Sequence, residues 1–505
     1  MNTSMHGVND IYYIGIDLGT THIKSAVFDE HGTLLEIQKT STPTTKDDFG
    51  EVYDPCQLFE VVSNQISYLL ERYKNITGIS VTGMSEAGLI VNRKNNSEET
   101  PILPWFDRRT DELAKQRSKD QEIRNFCSTG LRNSYKYGIY KYLWLSEYYD
   151  VQKGASIWLS VCDYIVWKLT GQFVTDPSFA ARTYVYDIIN QCWDKQRLTE
   201  YGLSENNFPV VIPSGEMVGY LSEHNLLQKA HNKSMKVCIG GHDHVCAAYA
   251  VLNDDLERIC NSIGTAETYL GVDEHFLITE SDYDSGLVYG PFINGKGYYW
   301  MVNISSSGQS IEWFRKKVQM SEISYNEMNE MVSSLPEEPT NILFYPYLSG
   351  IGTPHYRTEV GGGFFGLRET QSGSDMLKAI MEGINYQGKW ILSLAFEKMH
   401  NNIKNIVCVG GATNSIPWMQ IKANILGIPV TVPEITEATL LGAVAIMIDK
   451  NMGTDKKKIF LNNSLKQNNI YEVNQAISKK YQEIYNNEYT FLIDMIIKKE
   501  LGKKV

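Results

Sequence analysis

The sequence predicts an α/β protein of two domains, and three observations carry that prediction. Apolar runs with strand character end repeatedly in a glycine turn that leads into a helical pattern. Two hairpins with a Gly-Thr turn open the two halves of the chain. Its 505 residues also exceed what a single hydrophobic core usually organises. The polar stretch at 253–258 marks the expected boundary, giving domains 1–254 and 255–505.

The first hairpin joins an apolar run at 11–16 to an alternating run with Ile23, Ser25 and Val27. Its turn, Gly19-Thr20-Thr21, offers small residues, hydroxyls and unobstructed backbone N–H groups, a surface that can cradle a phosphate. Asp17 precedes the turn, a carboxylate placed to meet the Mg²⁺ that accompanies nucleotide phosphates, and Lys24 follows it. Read alone, a surface hairpin with Asp and Gly in its turn would look the same.

Three later runs end in comparable turns: Gly83-Met84-Ser85-Glu86, Gly240-Gly241-His242-Asp243-His244, and Gly410-Gly411-Ala412-Thr413-Asn414-Ser415. The last two lead into helical patterns at 245–252 and 416–426. In open α/β sheets ligands collect beyond the carboxyl ends of strands, so these turns are the candidate site. A second hairpin at 259–271 turns through Gly264-Thr265. Helices are expected at 376–399, capped by Ser374-Asp375, and at 471–499, as an amphipathic closing helix. Their apolar stripes read as core.

Asp243 heads a helix whose first turn is small and apolar, where a carboxylate can take a proton from a hydroxyl or simply cap the helix. His242 and His244 flank it, but no Cys/His cluster accompanies them, which speaks against zinc. Trp105, Asp107, Arg108 and Arg109 join an aromatic face to charged groups, as sugar sites do and as surface ion-pair clusters also do. Asp163, Asp176 and Arg182 are further candidates, Asp163 on a helix that should end at Gly171. The glycines at 410–411 would let a flat ring approach the backbone.

Composition narrows the classes. A net charge of −12, with no dense basic run beyond 456–458, excludes a nucleic-acid footprint. Eight scattered cysteines without a Cys-x-x-Cys pair read as free thiols in a reducing cytoplasm. The amino-terminal stretch lacks the apolar core of a secretory signal, and no apolar run is long enough to span a bilayer, so a cytoplasmic protein without a membrane partner is expected. Neither a P-loop motif nor a Gly-x-Gly-x-x-Gly fingerprint in the first strand turn occurs.

In this order the segments resemble the FGGY carbohydrate kinase family of the actin-like ATPase superfamily. The most specific match is Gly362-Gly363-Phe364-Phe365-Gly366-Leu367, followed by Asp375-Met376-Leu377-Lys378-Ala379-Ile380-Met381-Glu382. Gly15-Ile16-Asp17-Leu18-Gly19-Thr20-Thr21 and the Gly410–Ser415 turn are similarly typical. The resemblance implies two actin-like, ribonuclease H-like domains with a ligand cleft between them: an amino-terminal domain with the sugar site and the catalytic base, and a carboxyl-terminal, nucleotide-binding domain. It implies ATP-dependent phosphorylation of a hydroxyl on a small sugar or polyol, in the manner of a xylulose kinase or a related enzyme. Asp243 then matches the general base, and Asp17, with Asp243, would hold Mg²⁺ through water. Gly19, Thr20, Thr21, Gly264 and Thr265 would contact ATP phosphates, with Lys24 and Gly410 also on the cofactor side. Gly411, Ala412 and Asn414 would face the adenosine. Ser85, Glu86, Trp105, Asp107, Arg108, Asp163 and Asp243 would meet the sugar, and a homodimer would be unsurprising.

The chain departs from the pattern in places. Gly138 stands where Ser, Thr or Pro is usual, Ser85-Glu86 replaces the Met-His of xylulose kinases and the Arg-Glu of glycerol kinases, and His242 and His244 are unlike either. These departures leave the sugar open. The rival class is an actin-like or chaperone-like ATPase without a sugar substrate; it explains the phosphate hairpins but not the Trp/Asp/Arg cluster or the carboxyl-terminal signature.

Overall fold

The computed structural model describes residues 10–502 apart from 117, 276, 296, 319–321 and 466–467. The chain divides into two compact units. One comprises Met1–Asn253, Tyr289–Tyr299 and Glu437–Lys466; the other comprises Asp254–Val288, Trp300–Thr436 and Gln467–Val505. A segment from late in the chain therefore belongs to the first unit.

The first unit is built on β1 (Tyr12–Leu18), β2 (His22–Asp29), β3 (Leu34–Ser41), β4 (Ile76–Gly83), β5 (Met217–Tyr220) and β6 (Lys236–His242), in the order β5–β6–β4–β1–β2–β3. The predicted hairpin is present, with Asp17 opposite Lys24 and Leu18 opposite Ile23. β4 runs parallel to β1 on its other side and parallel to β6 beyond. Local signals explain the helices. Asp54 accepts from Gln57 N and Pro55 opens the Pro55–Arg72 helix. Ser160 and Asp163 form a capping box for the Val161–Thr170 helix, which ends at Gly171 in a left-handed conformation.

The Ala438–Met452 helix packs on this sheet and on the Asp243–Leu252 helix. Ser80 Oγ on β4 donates to Ala443 O at 2.7 Å. The two helices meet so closely that a Cβ on Gly442 would lie 1.8 Å from Cys246 O. Only glycine permits that approach.

The second unit repeats the plan with β7 (Arg258–Ile263), β8 (Glu267–Asp273), β9 (Tyr298–Ile304), β10 (Asn405–Val409), β11 (Val430–Pro433) and β12 (Asn468–Tyr471), ordered β9–β8–β7–β10–β11–β12. Here β7 has an antiparallel hairpin mate, β8, and a parallel neighbour, β10, as β1 has β2 and β4.

Two helix expectations need correction. The long helix spans Gly373–Phe396, and its cap is Ser372, whose hydroxyl accepts from Asp375 N while Asp375 reaches back. Ser374 lies inside the first turn. The closing segment is not one helix: Tyr471 belongs to β12, and a π-helical turn, Tyr485–Tyr489, separates the helices Gln475–Ile484 and Thr490–Gly502. The wider turn lets Tyr489 stack on Tyr345, ring centroids 4.8 Å apart, while Tyr485 stacks on Tyr386. All eight cysteines are free thiols, five of them buried. Among the described residues no helix is long and apolar enough to cross a membrane.

In a helix interior Gly→Ala normally gains about 1 kcal/mol of propensity. At Gly442 the clash with Cys246 O outweighs that gain, and Gly442→Ala should lose about 1–3 kcal/mol of unfolding free energy. Gly154, whose added Cβ would meet nothing within 4 Å, is the control. Urea denaturation of both variants, followed by tryptophan fluorescence, checks the difference.

Candidate functional site

In the first unit the site is assembled where β1, β4 and β6 end. Gly241 adopts φ +118°, and a Cβ there would lie 2.9 Å from Ser178 Oγ and 3.0 Å from Asp176 Oδ2. This glycine turns β6 directly into the Asp243–Leu252 helix. His242 occupies the cap position and makes no side-chain cap bond, so Asp243 is the first helical residue and not a cap. Asp243 Oδ1 receives both His244 N at 2.6 Å and His242 Nε2 at 3.0 Å, which leaves Oδ2 unclaimed by either. Burial alone would raise this carboxyl, but His244 and His242 hold it down at about 2. It is an ionised acceptor at neutral pH.

Asp17 shares that environment. Its Oδ1 is buried and finds no hydrogen-bond partner among the described residues. Burial and then the Asp243 charge push the carboxyl up to about 8, with Lys24 opposing. Lys24 itself is engaged by Glu437, at 3.0 and 2.8 Å to the two carboxylate oxygens. The Gly19-Thr20-Thr21 turn is held by Thr42, whose hydroxyl donates to Gly19 O at 2.7 Å and whose N–H donates to Thr21 O at 3.0 Å. Thr20 Oγ1 accepts from Trp105 Nε1 at 3.0 Å, which joins the turn to the aromatic cluster.

Glu86 is 7 % exposed and pairs with the Arg182 guanidinium through Nη2 and, at 3.1 Å, Nε. Ser85 Oγ donates to it at 2.6 Å, and Lys136 Nζ lies 3.7 Å away. Burial disfavours its charge, yet Arg182, then Lys136 and His242, hold the carboxyl well below the usual range. The His242 effect links this cluster to Asp243. Arg182 Nη1 and His242 Nδ1 are buried without a hydrogen-bond partner among the described residues. Lys141 Nζ donates to Glu86 O at 2.8 Å and Pro104 O at 2.5 Å, pinning the Ser85-Glu86 and Trp105–Asp107 segments together.

The remaining expected sugar contacts are placed unequally. Trp105 is half-exposed. Asp107 is buried and bound by Arg109, which in turn grips Asp47 at 2.7 and 3.0 Å. Arg108 is exposed, pairs with Asp111 at 3.3 Å and covers the Tyr135 ring. Asp163 is 2 % exposed; its Oδ2 accepts Ser160 N at 3.0 Å, closing the capping box, while its Oδ1 is buried with no hydrogen-bond partner among the described residues. Arg182, Lys136, His242 and Glu437 are the partners that residue-by-residue reading under-weighted. The Asp176-Pro177 helix start, which delivers Arg182 just past a short helix, was the available signal.

In the second unit a cavity of about 840 Å³ is lined by Gly264, Thr265, Gly411, Ala412 and Asn414, five of the expected cofactor residues. Gly410 lies behind this lining, with φ +104° against Ile263 O. Gln309, Asn329 and Trp418 also line the cavity, and the sequence reading did not name them. The signal for Gln309 was a further strand–turn–helix unit, in which β9 ends at Ile304 and a turn at 305–307 leads into the helix that begins at Gly308. The lining suits a nucleoside: one aromatic ring, amides for hydrogen bonding and glycine turns open to a flat ligand.

Known proteins match along nearly the whole chain. The amino-terminal domain of the FGGY family of carbohydrate kinases matches residues 12–250, and its carboxyl-terminal domain matches residues 260–447. The xylulose kinase of Staphylococcus xylosus is 27 % identical over 491 residues, covering 94 % of this chain and 98 % of the relative. Among solved structures, the gluconate kinase from Lactobacillus acidophilus superposes with a TM-score of 0.87 at 20 % identity, covering 97 % of this chain and 99 % of its own. The Plasmodium falciparum glycerol kinase with ADP gives 0.85 at 19 % identity, with 96 % and 98 % covered.

The two ion pairs should respond differently to loss of charge. Glu86→Gln leaves the Arg182 guanidinium buried without its counter-charge and should cost about 3–5 kcal/mol of stability. Arg108→Gln breaks an exposed pair and should cost about 1 kcal/mol or less. Chemical denaturation of the two variants side by side measures both.

Proposed function

The chain belongs to the FGGY family of carbohydrate kinases, and on that premise we propose how its residues divide the work. It transfers a phosphoryl group to a hydroxyl of a small sugar or polyol. In our reading the amino-terminal domain binds the sugar and supplies the base, and the carboxyl-terminal domain binds ATP.

Asp243 is the general base. The observation that carries this assignment is the double hold on Oδ1 by His242 and His244, which leaves Oδ2 to accept a hydroxyl proton beside the Glu86–Arg182 pair. The substrate oxygen attacks the γ-phosphorus and forms the new O–P bond. The bond to the β,γ-bridging oxygen breaks, ADP leaves with that electron pair, and the hydroxyl proton passes to Oδ2. A carboxyl held at about 2 is a weak base but is always in its accepting form. That suits a loose phosphoryl transfer, in which alignment and charge neutralisation do most of the work and the proton leaves late.

Glu86, Arg182, Ser85, Trp105, Asp107 and Arg108 form the sugar side. Glu86 and Arg182 supply acceptor and donor, with Arg182 Nη1 unpaired among the described residues; Trp105 supplies a flat apolar face. On this reading Gly19, Thr20 and Thr21 of the first unit, and Gly264 and Thr265 of the second, are each phosphate contacts, and Gly411, Ala412 and Asn414 face the adenosine.

The residues fit a Mg²⁺ ion. Mg²⁺ keeps several waters and takes one or two carboxylates besides substrate phosphates, and Asp17, with its unpartnered Oδ1, and Asp243 are two such groups. When bound, it would neutralise phosphate charge. The buried Glu86–Arg182 pair favours a kinase over an ATPase without a sugar substrate, because an enzyme that activates only water has no use for it.

Asp243→Asn should lower turnover by roughly 10²–10⁴-fold with nucleotide affinity little changed. Near-normal turnover would remove Asp243 from its role. ADP release measured against a ketopentose, an aldonate, a deoxy-sugar and a polyol should depend strongly on which is supplied. Steady release indifferent to all four would sink the kinase reading.

A further inference from the structure

We propose that Glu267 and Lys422, which take no part in the phosphoryl-transfer chemistry, position the walls of the nucleotide cavity. The proposal rests on reading that cavity as the ATP site. Both side chains are completely buried, and Lys422 Nζ lies 2.5 Å from Glu267 Oε1. Lys422 also donates to Tyr269 OH at 3.0 Å, and Ser307 Oγ donates to Glu267 Oε2 at 2.7 Å. Every strong polar atom of the group is therefore used.

What the pair connects makes it more than a core feature. Glu267 is the first residue of β8, directly after the Gly264-Thr265-Ala266 turn. Ser307 precedes Gly308, whose N–H donates to Gly264 O at 3.1 Å, and Gln309 N donates to Thr265 O at 3.1 Å. Lys422 sits on the Ile416–Leu426 helix, which carries Trp418 into the cavity. One carboxylate thus ties together the phosphate-side hairpin, the Ser307–Gln309 turn and the helix behind the adenosine side. An apolar core could hold these elements together, but it would not fix the angle at which Ser307 meets the hairpin. A buried ion pair costs desolvation that apolar packing avoids, so its presence here calls for a geometric role.

The test uses the full-length enzyme. Glu267→Gln keeps the shape and the acceptor for Ser307 but leaves the Lys422 ammonium without a counter-charge. KM for ATP should rise at least about 10-fold, the scale of losing one supporting contact of a ligand, while KM for the sugar stays within about 2-fold. The double variant Glu267→Leu/Lys422→Met removes both charges and should recover thermal stability towards the parent. Ser307 loses its acceptor in this variant, so KM for ATP should remain raised. If KM for ATP returns to the parent value as stability does, or never changes in Glu267→Gln, the pair is structural only and the proposal falls. Ala412→Trp fills the cavity and should abolish ADP binding in calorimetry. Undiminished ADP binding in that variant would overturn the nucleotide reading, and the positioning proposal with it, whatever the ion-pair variants do.

Discussion

The crossing of the Asp243–Leu252 and Ala438–Met452 helices at Gly442 is the constraint on which the Asp17–Asp243 cluster depends. The contact leaves no room for a methyl group, so the two helices are fixed in translation as well as in angle. One begins at Asp243; the other begins just after Glu437, which grips Lys24, the register partner of Asp17. Tyr249 OH donates to Asp449 Oδ2 at 2.6 Å and ties the same two helices again. These contacts thereby set Asp243, Asp17 and the Lys24 that faces it in register. The two partners at Gly442 lie about 200 residues apart in sequence, as Tyr249 and Asp449 do.

Electrostatics then assigns different states to similar groups. Glu86 is buried while Asp17 and Asp243 are half-buried, and partial desolvation acts on all three in the same direction. Glu86 and Asp243 stay ionised because cationic or N–H partners reach them within hydrogen-bond distance. Asp17 has no such partner at Oδ1 and feels the Asp243 charge, so its proton is held more tightly. Lys24, the cation in register with Asp17, is drawn off by Glu437 and does not balance that charge.

The strand–turn–helix units and both Gly-Thr hairpins were legible because glycine placement and apolar runs are local signals. Asp243 was also legible, since its position after Gly240-Gly241 is a backbone matter. What escaped was tertiary. Nothing near Arg182 in sequence announces that it meets Glu86, and nothing near His242 fixes its ring on Oδ1 in preference to Oδ2. The π-helical turn was hidden because Tyr485 and Tyr489 answer to Tyr386 and Tyr345, not to the helix period. Ser160-Val161-Cys162-Asp163 has the spacing of a capping box, a local signal that was also open to reading, and it engages one carboxylate oxygen of Asp163 while the other stays unpartnered among the described residues.

The two sheets share a plan, yet the two hairpin turns are secured by different physics. Thr42 holds the first with one hydroxyl and one backbone N–H, at a position where the neighbouring Thr21 is exposed to water. The second is held by backbone bonds from Gly308 and Gln309 and by a carboxylate wholly removed from water. A neutral hydroxyl bond such as that from the buried Thr42 contributes about 1 kcal/mol. A fully buried charged network resists distortion, because any movement exposes an uncompensated charge to a low-dielectric interior. The two turns thus differ in stiffness although their strands follow one plan, because one is closed by neutral bonds and the other by a buried charge.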